Sequence, residues 1–360
     1  MKKCFSIAAA VCAAAVFFGC RSAVDSEPEK IHRLFNWSGP MNEEQAVRYA
    51  SAGVTDTLVR NLKQHDLALK YGIRPYWNFF VPAGPHLQVM TPEEEKYFAC
   101  INGDDLDRNM PKKERERIIH QRRIEKSHRY GGETVTEIDT IHRAKVYCFI
   151  SDKNFDHSRK KLDKILDTAP EGTAGIYLDF IGYSNFKGCY CNICLEKYQR
   201  YLAGNCLSDT PENKMIFYRN ELVDYYNKVI DYIKSKRQDF KVAVHIYPVF
   251  KYDELYGNRI KADFCGQTVS WYFKWDAEKI KKYTDVVLNN AQDYYSFAEG
   301  IPFIGINTDS SSSLGYKTPA DVEDDIKAIL AAGGRTLMVC CGVSVIKDGY
   351  YEVFKKYCGK

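Results

Sequence analysis

The sequence predicts a single (β/α)8 barrel, the TIM-barrel fold, with one long insertion after its third strand. From Ile31 onward, short apolar runs alternate with amphipathic stretches in eight units, and 360 residues suit one large barrel. Apolar residues make up 45% and charged residues 27% of the chain, which excludes disordered chains and multi-span membrane proteins. A formal net charge of +4 is too small for a general polyanion binder, so we expect no nucleic-acid partner.

The first residues have the pattern of an export signal. A basic head precedes an uncharged apolar run over 4–18, which is too short to span a membrane comfortably. The run ends at Gly19 and Cys20, a pair that resembles a bacterial lipobox. We therefore expect a lipoprotein signal peptide over 1–19, a lipid on the Cys20 sulfur and a polar tether over 20–30. The mature protein would be exported and anchored to the bacterial cell envelope, at the periplasmic or surface face of the outer membrane; plain secretion is the alternative.

The barrel domain is predicted over 31–360. Its clearest helix covers 215–237, where the apolar residues fall on one stripe. Pro319 is expected to open the last long helix and Gly333 to close it. The sixth strand has an alternative at 268–273. In chain order, the predicted strands are 32–37, 55–60, 73–79, 174–180, 242–247, 285–289, 301–307 and 335–341, and helical patterns cover 42–52, 61–71, 157–167, 215–237 and 320–332.

The insertion covers 84–145, between the third and fourth predicted strands. It is too long for an ordinary connection between a strand and a helix, so we expect it to fold over the rim of the barrel. Its segment 112–129 has eight Lys or Arg residues against three Glu. This charge pattern indicates a solvated helix, or alternatively a surface that selects anionic glycans.

Polar and aromatic side chains follow the predicted strands at their carboxyl ends, where TIM barrels keep their functional groups. Amide and carboxyl groups suit sugar hydroxyls, and flat aromatic rings suit the faces of sugar rings. The alternative is that such residues only cap helices, end strands or pack in the core. The candidate substrate-binding residues are Asn36, Trp37, Arg60, Trp77, Asn78, Tyr183, His245, Tyr247, Trp271, Trp275, Asn289 and Asn307.

Three carboxyl groups on this rim are candidates for catalysis. Glycoside cleavage commonly uses two, one to protonate the leaving oxygen and one to attack or to activate water. Asp179, at the end of the fourth strand, is the first choice as nucleophile or base. Its partner is Asp293, proposed as the acid, or Asp309 after the seventh strand. The alternative is that Asp179 only accepts hydrogen bonds from loop amides.

A cysteine cluster precedes a predicted helix. Cys189, Cys191 and Cys194 have the spacing C-x-C-x-x-C, which favours a structural tetrahedral zinc if a fourth thiolate joins them. Cys148 is the first candidate for the fourth ligand and Cys100 the second. In an exported protein, disulfides are the alternative.

The segment 147–202 resembles the zinc-binding segment of family 42 β-galactosidases. The resemblance rests on YCFIS at 147–151, GIYLDF at 175–180 and the CYCNIC motif; the Leu-Asp-Phe at the strand end is also similar to barrel-shaped putative glycoside hydrolases. Phe180 and Ile181 stand where family 42 has an Asn-Glu pair, whose Glu is the acid/base. The resemblance implies a sugar-hydrolase barrel with a structural zinc held by Cys148, Cys189, Cys191 and Cys194.

These patterns together predict a surface-anchored glycoside hydrolase that acts on a polysaccharide or oligosaccharide. We expect no organic cofactor, because the sequence has no glycine-rich phosphate loop and no nucleotide-binding fingerprint. The alternative is a non-catalytic glycan-binding barrel that has kept its aromatic surface and lost its acid.

Overall fold

A computed structural model gives the structure of the chain. It describes residues 29–80, 98–102, 141–181, 189, 191–246, 259–272, 274–290, 298–312, 315–340 and 342–359, with short pieces at 111, 113–114 and 117–118. The predicted signal peptide, Cys20, nearly all of the tether and most of the insertion over 84–145 lie outside the described residues. Within the described part of the chain, no helix is both long enough and apolar enough to cross a membrane.

Eight parallel strands close into a barrel, which confirms the predicted fold class. The strands are β1 (Arg33–Asn36), β2 (Val54–Val59), β3 (Arg74–Phe80), β6 (Gly175–Ile181), β7 (Lys241–Ile246), β8 (Phe264–Ser270), β9 (Glu299–Gly305) and β10 (Thr336–Cys340). Neighbours around the barrel follow the order β1-β10-β9-β8-β7-β6-β3-β2. Two further strands, β4 (Phe98–Asn102) and β5 (Ile141–Tyr147), form a separate antiparallel pair within the chain between β3 and β6.

Helices follow the strands along the chain and cover the barrel. They are α1 (Glu43–Ser51), α2 (Leu62–Lys70), α3 (Asp152–Thr168), α4 (Asn192–Gly204), α5 (Pro211–Lys236), α6 (Ala277–Asn290), α7 (Pro319–Ala331) and α8 (Tyr350–Cys358). Helix α7 opens as predicted: Pro319 occupies its first turn, and Thr318 and Asp321 form a reciprocal capping box.

The sixth barrel strand differs from the first choice made from sequence. Residues 285–289 are not a strand but the last part of α6, and the sixth strand is β8, which overlaps the alternative at 268–273. Ile280, Tyr283 and Val287 are buried at a spacing of three and four residues, which is the period of a helix face. The apolar residues near 287 therefore belong to a helical stripe.

An ion-pair cluster closes the barrel at the amino ends of its strands. Asp56, fully buried, accepts two hydrogen bonds from Arg74, at 2.8 and 2.7 Å, and one from Nε of Arg33 at 3.2 Å. The Arg33 guanidinium also lies 3.8 Å from the ring centroid of Phe264. These contacts fill the lower end of the barrel and leave its upper end, at the carboxyl ends of the strands, for a site.

Large side chains fill the middle of the barrel. The hydroxyl of Tyr177 donates a hydrogen bond across the barrel to the sulfur of Met338, at 3.6 Å. A Cβ atom at Gly266 would lie 2.3 Å from that sulfur, so the inner face of β8 has no room for a side chain there. Residues that follow Tyr177 and Met338 on the inner face therefore lie at the upper end.

Candidate active site at the carboxyl ends of the barrel strands

Asp179 and His245 are neighbours at the upper end of the barrel. Leu178 pairs with Val244 in the sheet, and both pack outward against the helices. Asp179 and His245 come next on the two strands, where the register between β6 and β7 shifts by one residue. The side chains of Asp179 and His245 are fully buried. The structure thus brings together two of the residues predicted from sequence.

The His245 ring is enclosed by aromatic side chains. It stacks on Phe303 with ring centroids 3.8 Å apart, and the Trp37 ring lies 5.3 Å away. Its Nε2 atom lies 3.5 Å from Oγ1 of Thr268. Burial lowers the pKa of His245 from 6.5 to about 3. The imidazole is therefore neutral at physiological pH and can hydrogen-bond a substrate without carrying charge.

Trp37, Trp271 and Tyr272 extend this aromatic group. Trp271 is nearly parallel to the His245 ring, with centroids 6.5 Å apart, and stacks on Tyr272 at 4.4 Å. Trp271 is only 8% exposed, whereas Trp37 and Tyr272 are half-buried. The part of the group open to a ligand is therefore made by Trp37 and Tyr272, with Trp271 and Phe303 beneath them. Tyr272 and Phe303 were not among the residues predicted from sequence; the inward phase of β9 was the signal that could have identified Phe303.

Two predicted tryptophans lie away from this group. Trp77 alternates with the inward-facing Tyr76 and stacks on His65 of α2, with centroids 6.3 Å apart. Trp275 packs against Tyr283 of α6 at 6.0 Å, and the ammonium of Lys279 lies 4.3 Å from its ring centroid. Both rings therefore pack against helices outside the barrel.

Several predicted polar residues organise loops. Asn36 alternates with the inward Phe35 and donates to the Ser38 carbonyl at 2.8 Å. The side chain of Arg60 is exposed, and its backbone N–H donates to Oε1 of Gln64 at 2.8 Å. Asn307 donates to the Gly315 carbonyl at 2.6 Å and shapes the loop before α7. Asn78, two residues after Tyr76, follows the inner face and is half-buried.

The two candidate partners of Asp179 are placed differently. Asp309 is exposed on the loop after β9 and accepts hydrogen bonds from the backbone and hydroxyl of Ser311, which lower its pKa. Asp293 lies outside the described residues, as do Tyr183 and Tyr247. The strand at 285–289 that placed Asp293 on the rim is a helix instead, and Asn289 is exposed on that helix, bonded to Asp285.

The four predicted metal ligands form one buried cluster. The sulfur atoms of Cys148, Cys189, Cys191 and Cys194 all lie within 4.8 Å of one another. Cys148 follows β5, and the other three lie between β6 and the first turn of α4. Tyr218 donates to the Cys189 carbonyl, and Asn154 donates to the Tyr147 carbonyl at 2.8 Å, so α3 and α5 hold the cluster in place.

This cluster fits a tetrahedral metal ion. Bonds of about 2.3 Å from zinc to sulfur place the sulfur atoms about 3.8 Å apart. This spacing lies between the 3.1 Å that separates the sulfurs of Cys148 and Cys194 and the 4.8 Å within which all four sulfurs lie. All four cysteines are free thiols. Hydrogen bonds from its thiol neighbours hold the pKa of Cys191 well below its usual range, whereas the same contacts raise that of Cys194. The cluster could therefore bind a metal such as zinc, because a cation would let all four sulfurs ionise together.

The buried His245 predicts an acid-sensitive fold. The unfolded chain binds a proton near pH 6.5 that the native chain takes up only near pH 3, so the free energy of unfolding should fall as pH falls through this window. Replacing His245 with Gln should reduce the slope by up to about 1.4 kcal/mol per pH unit in urea titrations. The same change at the exposed His32 is the control, and equal slopes in all three proteins would contradict this expectation.

Comparisons with known proteins agree on the fold. No protein-family model and no curated protein sequence matches the chain. Among solved structures, a β-galactosidase from the haloarchaeon Halorubrum lacusprofundi matches with a TM-score of 0.55 and 11% identity, over 90% of this chain and 57% of that one. An α-L-fucosidase from Paenibacillus thiaminolyticus matches with a TM-score of 0.51 and 11% identity, over 91% and 49%.

A third structure matches over nearly its whole length. It is the PgaB glycoside hydrolase domain from Bordetella bronchiseptica, with a TM-score of 0.51 and 8% identity, over 92% of this chain and 99% of that one. In contrast, the chain spans about half the length of the fucosidase and the β-galactosidase. Identities this low show the fold alone. The chain therefore has a glycoside hydrolase-like TIM-barrel fold.

Proposed function

We propose that the protein is a glycoside hydrolase that acts on a polysaccharide or oligosaccharide at the upper end of its barrel. The observation that carries this proposal is the position of Asp179, buried beside a neutral His245 under a group of aromatic rings. A carboxyl group beside rings that can stack on a sugar supplies one of the two carboxyl groups that glycoside cleavage commonly uses, together with a surface for the sugar. In this reaction Asp179 is the nucleophile or base.

The acid in this mechanism must have a pKa high enough to hold its proton near neutral pH. The hydrogen bonds from Ser311 lower the pKa of Asp309, so this carboxyl group suits the role of a base better than that of an acid. Asp293 was assigned the acid role because a strand was predicted over 285–289; those residues are helical, so that reason is lost and the acid is unassigned among the described residues. His245 contributes a neutral hydrogen-bonding group and is not the general acid.

A non-catalytic glycan-binding barrel is the second candidate function. Three Asp side chains are buried among the described residues: Asp56 at the lower end, Asp325 on α7 and Asp179 itself. None of the others faces Asp179, and Phe180 and Ile181 stand where a catalytic Glu would be expected from the resemblance to family 42. A barrel with one carboxyl group and intact aromatic rings could bind a glycan without cleaving it.

The proposed setting is the bacterial envelope, with a lipid on Cys20 and zinc in the cysteine cluster. The described chain enters the barrel at the amino ends of the strands, where the Ile31 amide bonds the Tyr357 carbonyl and the His32 amide bonds the Arg335 carbonyl, both at 2.9 Å. The candidate active site is at the opposite end. A tether attached there would leave the site turned away from the membrane and open to a polymer.

The two functions are separated by measuring binding and cleavage on the same glycans. The full chain is screened against a set of plant, algal and bacterial polysaccharides for retention and for release of new reducing ends. Release supports the hydrolase, and retention without release supports the binding barrel. If the chain neither retains nor cleaves any glycan, both proposals fail.

A further inference from the structure

Strand β8 ends in a bulge beside the candidate active site. Thr268 pairs with Phe303 and Ser270 pairs with Ile304, so Val269 is an extra residue on this strand. Bulges often lie next to functional sites, where they change the direction of the side chains that follow. Here Ser270 faces outward toward α7, and the next residue, Trp271, returns to the inner face over Phe303.

Ser270 is held by a buried ion pair. The ammonium of Lys317 donates to Oγ of Ser270 and to Oδ2 of Asp325, each at 2.6 Å, and the Ser270 hydroxyl donates to the same carboxylate at 2.9 Å. All three side chains are buried, and Lys317 is completely so. The Lys317 backbone is fixed as well, because its amide donates to the Asn307 carbonyl and its carbonyl accepts from the Tyr350 hydroxyl.

The space for the Trp271 ring comes from a glycine on the neighbouring strand. A Cβ atom at Gly305 would lie 2.6 Å from Cε3 of Trp271, closer than real Cβ contacts come. The ring therefore occupies a slot between β8 and β9, bounded by Phe303 and His245 on the inner side. A small displacement of the end of β8 would move the ring relative to His245.

Stability alone is a weak reason for this ion pair. Removing an ammonium and a carboxylate from water carries a large desolvation cost, and apolar side chains of similar size often stabilise a fold equally well. Lys274 provides a contrast, since it pairs with Asp321 and Asp324 of the same helix at an exposed position. The pair of Lys317 and Asp325 differs in that both side chains contact Ser270, at the strand end that leads into Trp271.

We propose that Lys317 is a positioning residue that, through Ser270, holds the end of β8 so that Trp271 lies against His245. That the Trp271 ring forms a wall of the substrate site rests on the proposed function. The positioning itself does not, and it can be measured without a substrate.

The test uses the fluorine NMR spectrum of the full chain labelled with 5-fluorotryptophan, in which the four tryptophans are expected to give four signals. Trp271→Phe assigns the signal of interest. We expect that signal to shift or broaden in Ser270→Ala, which removes the link, and in the double variant Lys317→Met/Asp325→Leu, which removes both charges together. The Trp77 signal should stay in place, and Lys274→Met should leave the Trp271 signal unchanged.

An unchanged Trp271 signal in folded Ser270→Ala protein would overturn the proposal, even if the double variant failed to fold. On any nitrophenyl glycoside that the wild type cleaves, the Ser270 variant should lower kcat/KM by about tenfold, mainly through KM, because the ring binds substrate without reacting. If the wild type cleaves none of these glycosides, the hydrolase proposal is weakened while the NMR result still decides the positioning role.

Discussion

Replacing Asp179 with Asn is expected to lower the rate of glycoside hydrolysis by about 10³-fold, within the range that loss of a catalytic proton-transfer or nucleophilic group produces. Asn keeps the size of Asp and can still hydrogen-bond, so the barrel should fold normally. It can neither attack an anomeric carbon nor take a proton from water. The rate is measured as reducing ends released from the best glycan found for the wild type, with circular dichroism as the check on folding.

The matched control is the same substitution at Asp239, which is exposed in the turn before β7 and pairs with Arg237. Asp239→Asn should keep the wild-type rate. If the Asp179→Asn variant hydrolysed the glycan at the wild-type rate, this carboxylate would have only a structural role, which is the alternative given in the sequence analysis. Retained glycan binding with lost hydrolysis in Asp179→Asn would instead separate the catalytic group from the aromatic surface.

Replacing Cys194 with Ser is expected to remove the bound metal and to lower the free energy of unfolding on the order of 5 kcal/mol, because metal binding at such a site stabilises the folded state. The wild type should contain one zinc per chain by elemental analysis, and a chelator should lower its unfolding temperature. The cluster joins the end of β5 to the chain between β6 and α4, so its loss should loosen the region next to Asp179.

Cys206 provides the control for this experiment, because it is exposed just after α4 and outside the cluster. Cys206→Ser should keep both the metal and the stability. Metal-free protein whose four cluster cysteines are found as disulfides by mass spectrometry would contradict the metal site and favour the oxidised alternative expected of some exported proteins.

The barrel could be predicted because apolar residues repeat at different intervals in strands and in helices. The wrong first choice for the sixth strand shows the limit of that signal. Strand β8 is weak in sequence because Gly266 faces inward against Met338, where the barrel has no room for a side chain. The run at 285–289 is strong in sequence because its β-branched valines are typical of strands. The packing of Ile280, Tyr283 and Val287 on one helix face shows that 285–289 is helical and that β8 is the sixth strand.

The site was predictable where its residues are close in sequence. Three of the four cysteines lie within six residues, and the fourth follows a strand, so all four could be named. Trp77 and Asn78 are adjacent in sequence, yet Trp77 packs against α2 whereas Asn78 lies on the inner face of the barrel. A one-residue difference in strand phase decides this, and only the closed barrel fixes it. Tyr272 was missed because its place depends on the bulge that also turns Trp271 inward.

The most direct test of the proposed site is a crystal structure of Asp179→Asn protein soaked with an oligosaccharide that the wild type cleaves. The sugar is expected at the upper end of the barrel, with one ring against Trp37 and the bond to be broken beside position 179. Sugar bound instead in the groove between α6 and α7, along Trp275 and Lys274, with none at the upper end of the barrel, would contradict the proposed site.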